Sequence, residues 1–146
     1  MIPESDLLEN GLLIVTGSNL RAERADRPLA YRLKSTIESV FDTQSDHHTV
    51  VVMSDLWYLN TVSLQSLPMI SVGGPGINAA SAYLCKRLPN ALLIDGVLAI
   101  QMDVHRDDLR ASVWGSNHEH TISALDIFIE KGYLHRFLGA MALRQF

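Results

Sequence analysis

The chain has 146 residues, the size of one ordinary domain, and 47 % of them are hydrophobic against 19 % charged. That supplies enough apolar material for a real core and for a subunit interface besides. A net charge of −4 with scattered basic residues argues against nucleic acid as the main partner, a lone cysteine excludes an internal disulfide, and no segment reaches the ~20 apolar residues that span a bilayer.

The N-terminal segment MIPESDLLENG is acidic and lacks a basic leader region, so it does not read as a signal peptide. The expected compartment is a reducing cytoplasm, with no membrane partner. Residues 12–16 (LLIVT) predict a strand apolar on both faces, as central parallel strands are. The segment TGSNLRAERAD reads as a loop. Asp26 is suited to cap the next helix, with Pro28 in its first turn. Leu29, Leu33, Ile37, Val40 and Phe41 then recur at helical spacing. Residues 43–48 predict a polar turn, and residues 49–53 (TVVVM) a second strand.

Residues 55–59 suit one turn of helix, and Asn60 or Thr61 suits the start of another. Pro68 closes that region before a third strand at 69–72. After Gly-Gly-Pro-Gly, residues 77–88 predict a helix whose alanines and serines let it lie close to a sheet. Residues 91–94 and 97–102 flank Asp95-Gly96, a hairpin signal. A turn at 105–108 leads to a strand at 109–114. Helices follow at 119–131, with Ile122, Leu125, Phe128 and Ile129 inward, and from Tyr133 to Leu143, with Gly132 between them.

Right-handed crossovers place the second and third strands on either side of the first, and the sixth beside the third with its hairpin partners outward. The expected fold is one α/β domain over residues 1–146. It is a three-layer, Rossmann-like or flavodoxin-like sheet of order 2-1-3-6-5-4, mostly parallel with an antiparallel hairpin edge.

Three glycine-punctuated loops run from strand to helix: Gly17-Ser18-Asn19, Gly73-Gly74-Pro75-Gly76-Ile77-Asn78 and Gly115-Ser116-Asn117. In such a sheet they gather at the carboxyl ends of the strands, where ligands bind. The first carries Ser18, Asn19, Arg21 and Arg24, and helix-start amides with guanidinium groups favour an anion. Pairing of the arginines with Glu23 and Asp26 is the competing account. In the second, the amides of Gly73, Gly74 and Gly76 suit an anion-binding nest, and a tight turn with no ligand explains them equally well. Neither the dinucleotide fingerprint nor a P-loop is present.

In the third loop Asn117 suits a helix cap and His120 a proton-transfer group. His118 and His120 stand at i and i+2, roughly 200° apart on a helix, and cannot chelate together unless the segment is irregular. No metal is assigned, and no cofactor is identified. Cys85 reads as a small core residue, and Trp57, Tyr58 and Tyr83 as core or interface.

These features support a binding or sensing domain for a small anionic molecule, with a nucleotide among the candidates. Ser18, Asn19, Arg21, Gly74, Asn78, Asn117 and His120 are expected to line one cleft. A hydrolase or transferase with His120 as acid/base, and Asp55 or Glu119 orienting groups, is the first alternative. A self-assembling module without ligand is the second, and a homodimer or larger oligomer is expected.

Overall fold

Every residue of strand β1 (Gly11–Thr16) is buried. Such a strand needs cover on both faces and a neighbour on each side, so it lies inside the sheet. The computed structural model describes residues 4–44, 48–105 and 109–143. β1 pairs parallel with β2 (Thr49–Ser54) on one side and with β3 (Met69–Val72) on the other. β3 pairs parallel with β6 (Arg110–Gly115). From there β5 (Leu98–Asp103) and β4 (Asn90–Ile94) continue antiparallel. The six-stranded order is β2-β1-β3-β6-β5-β4, the order and mixed character expected from the sequence.

Strand alternation divides the core. Leu12 and Ile14 point to one face, where α3 (Arg27–Gln44), α6 (His118–Glu130) and α7 (Tyr133–Leu143) bury Leu33, Ile37, Phe128 and Phe137. Leu13 and Val15 point to the other, among Leu7 of α1 (Glu4–Asn10), Tyr58 of α4 (Asp55–Asn60) and Leu84 of α5 (Ala79–Leu84), together with Leu64 of the 3-10 turn Val62–Ser66.

Several local expectations change. The segment read as a loop after β1 holds a short helix, α2 (Leu20–Ala25), because the Asn19 side chain accepts from Ala22 N at 2.8 Å. Asp26 ends α2, and its carboxyl caps no helix. α1 was not foreseen, and Leu7 in it joins the core. α5 is shorter than residues 77–88, because Gln101 Nε2 donates to the carbonyls of Cys85 and Leu88 at 2.9 and 3.3 Å and holds the chain in turns there. α3 runs on to Gln44. The rest of the turn expected at 43–48, save His48, and residues 106–108 of the second lie outside the described residues.

Because β1, β2, β3 and β6 run parallel, the segments after them emerge at one edge. The chain leaves β1 towards the α3 face and β3 towards the α5 face. The gap between those two exits is the crevice in which open α/β sheets place ligands.

Candidate functional site

The three glycine loops meet at that edge, and packing explains two of their glycines. A Cβ at Gly17 would sit 1.9 Å from the Ile77 carbonyl oxygen, so the first loop rests directly on the second. A Cβ at Gly115 would meet the first turn of α6 at 2.2 Å (His120 C) and 2.4 Å (Thr121 N).

Buried polar side chains then tie the loops together. The Asp55 carboxylate, 4 % exposed, accepts from Ser18 Oγ, from Leu56 N at 2.7 Å and from Ala79 N at 2.7 Å. It joins the ends of β1 and β2 to the start of α5. Asn78 is 1 % exposed, and both ends of its amide are committed. Its Oδ1 accepts from Ala80 N and Ser81 N. Its Nδ2 donates to Val15 O, Val72 O and Ser71 Oγ. The six-residue α5 is thus capped by Asn78 and Asp55 and offers no anion site of its own.

Between α2, the β3–α5 loop and the start of α6 lies a cavity of about 340 Å³. That volume is at the low end of small-molecule sites, roughly 300–1,000 Å³. Arg21, Gly74, Gly76 and Asn117 line it, together with Asp26 and His118. Asn117 caps α6, its Oδ1 accepting from His120 N at 2.8 Å, so the thirteen-residue helix presents its positive end to the cavity. Trp114 also contributes to the lining, but its indole Nε1 donates to Gln101 Oε1 at 3.3 Å.

Asp26 is the residue that sequence reasoning missed. It is 1 % exposed, and its Oδ2 has no hydrogen-bond partner among the described residues. Space for that oxygen comes from Gly73, where a Cβ would lie 2.5 Å from Oδ2 and φ is +114°. Burial pushes the Asp26 carboxyl up to about 6, against the pull of His118 and Arg21. In the sequence Asp26 reads as an ordinary cap before Pro28. The only signal was an acidic residue within an arginine-rich segment.

The expected cleft set therefore divides. Arg21, Gly74 and Asn117 share the cavity. Ser18, Asn19 and Asn78 hold the loops in place instead, through the bonds given above. Gly73 spends its N–H on Val113 O at 3.1 Å, so it supplies no nest amide, whereas Gly76 lies on the lining. Arg24 is exposed and outside the lining, and Glu23 pairs with Arg27 at 3.4 Å. His120 is half-buried behind Ser116, whose Oγ lies 2.7 Å from His120 Nδ1. Asp55 is likewise no part of the lining. Among the described residues no three His, Cys, Asp or Glu side chains converge as a metal site would require, and no helix is long and apolar enough to cross a membrane. No protein-family model matches the chain, and a search of curated proteins finds no match.

Proposed function

We propose that the chain is a binding or sensing domain for a small anionic molecule of mononucleotide size or smaller. The observation that carries this reading is the cavity over the β1/β3 gap, with Arg21 and the capped start of α6 on its lining. A guanidinium and a helix N-terminus attract the same kind of group, a phosphate or carboxylate. Thermal-shift and calorimetric titrations with inorganic phosphate and AMP test it, with Arg21→Ala as the control. Stabilisation of the native protein that Arg21→Ala abolishes supports the reading, and identical responses of both proteins reject it.

A hydrolase or transferase is the second reading, favoured by Ser116. It lines the cavity and its hydroxyl is bonded to His120, a group able to take a proton from it. Turnover of an activated phosphate or acetate ester, lost in Ser116→Ala and in His120→Ala, is the expected result on this reading. The proposal also includes a cytoplasmic homo-oligomer. Exposed Leu56, Trp57 and Val62 on one side of the sheet, and Leu93 and Ile94 on edge strand β4, support self-association.

A further inference from the structure

A buried polar atom without a partner is expensive, and a native structure that keeps one calls for an explanation. Asp26 Oδ2 is such an atom, on a residue that is 1 % exposed and lines the cavity. The main chain holds it there. Asp26 N donates to Ala22 O at 2.8 Å, and Asp26 O accepts from Ala30 N at 3.0 Å. Arg21 and His118 are near enough to pull on its charge, yet neither forms an ion pair with it. The carboxyl of Asp26 therefore keeps its hydrogen-bonding capacity unspent inside the cavity.

We propose that the carboxyl of Asp26 is the specificity-determining contact of this cavity: it accepts a hydroxyl or amino donor of the ligand, so the molecule bound is a donor-bearing phosphate rather than a bare anion. The inference rests on the reading of the cavity as an anion site. An ionised carboxylate has acceptors and no donor, so it repels an anion that brings no O–H or N–H of its own, such as sulfate. A sugar phosphate or nucleotide resolves that conflict by setting its anionic group on Arg21 and the α6 start and turning a donor to Asp26. Burial makes the discrimination strong, because a site built to satisfy a polar group rejects the analogue that leaves it unpaired.

Calorimetric titration at slightly alkaline pH tests the proposal with four probes: sulfate, ribose phosphate, AMP and dideoxyadenosine monophosphate. The wild-type protein is compared with Asp26→Asn, Asp26→Ala and Gly76→Leu. Gly76 lines the cavity with nothing within 4 Å of an added Cβ, so Gly76→Leu adds bulk there without displacing a neighbour at that atom. Thermal melting establishes that each variant folds, and Asp26→Ala decides if Asp26→Asn does not.

The wild type is expected to bind ribose phosphate or AMP at least about tenfold more tightly than sulfate, and both Asp26 variants to lose that preference. Loss of binding in the dideoxy compound then assigns the donor to the sugar hydroxyls. Retention there, with weak ribose phosphate, assigns it to the base amine. The proposal is overturned if sulfate binds the wild type as tightly as the other probes. It is also overturned if Asp26→Asn and Asp26→Ala keep the preference while Gly76→Leu abolishes binding, and in that case the anion-site reading still stands. If no probe binds the wild type, or Gly76→Leu binds unchanged, the anion-site reading itself falls and this one with it.

Discussion

A single buried carboxyl carries both a stability cost and a pH dependence. Asp26 is raised from its ordinary 3.8 to about 6, so the folded protein holds that proton more tightly than the unfolded chain does. Between these values the native state binds more protons, and stability falls as pH rises. The full penalty is present above pH 6 and vanishes as pH drops towards 4; two units amount to about 3 kcal/mol as an upper bound. Urea denaturation of wild type and Asp26→Asn from pH 4 to 8 is expected to show the variant gaining on the wild type across that window by up to about this amount. Equal pH profiles would remove the buried charge from the account. Arg21 behaves in the opposite way. It is exposed and supports no core, so Arg21→Ala should leave the melting temperature nearly unchanged. Binding of a phosphate ligand should weaken by ~1.5–3 kcal/mol, the range for hydrogen bonds to charged groups. A drop in melting temperature with ligand-induced stabilisation intact refutes that assignment.

Elements are held at the carboxyl edge by side chains that cap one helix and brace a neighbouring loop at once. Asn78 does both, and Asn78→Ala should cost on the order of 3 kcal/mol, a lost cap plus carbonyls left buried and unpaired. Chemical denaturation measures this, and a cost no larger than that of an exposed substitution would show that the network is dispensable. The glycines supply a second comparison. Gly115→Ala forces a methyl against the backbone of α6 and should shift the α6 start or unfold the protein. Gly76→Ala meets no atom and should stay within about 0.5 kcal/mol of wild type. The glycine loops were legible in the sequence, and so was their shared edge, because strand and helix periodicities are local. Which glycine serves packing and which borders a cavity was not legible. That depends on Ile77 approaching Gly17 and Asp26 approaching Gly73, contacts between segments far apart in the chain.

For the whole molecule, the described part of the C-terminal helix turns most of its large apolar side chains inward. α7 spends Leu134, Phe137, Leu138 and Met141 on the core and leaves Leu143 exposed. Exposed apolar side chains lie instead at Leu56, Trp57 and Val62, and at Leu93 and Ile94 on the edge strand. An unpaired edge strand with apolar side chains invites pairing with another chain. Light scattering at tens of micromolar is expected to give at least twice the single-chain mass of 16.2 kDa. Leu93→Lys or Trp57→Glu should return it to one chain, according to which surface is the interface. A single-chain mass for the wild type rules self-association out.

What the sequence determined by itself was the architecture. A first strand apolar at every position demands neighbours on both sides. Asp-Gly between apolar runs demands an antiparallel hairpin, and crossover handedness leaves one economical strand order. Each of these follows from local patterning and chain stereochemistry. What only the tertiary structure decided was the division of labour among polar residues at the carboxyl edge. Ser18 meets Asp55 across 37 residues, and Asn78 meets Val15 across 63. Those meetings commit the polar groups of Ser18, Asp55 and Asn78 to the loops, while Asp26 lies on the cavity lining with no partner for its Oδ2 among the described residues. A carboxylate or an amide looks the same in sequence whether its hydrogen bonds are spent or spare, because the groups that spend them arrive only when the sheet assembles.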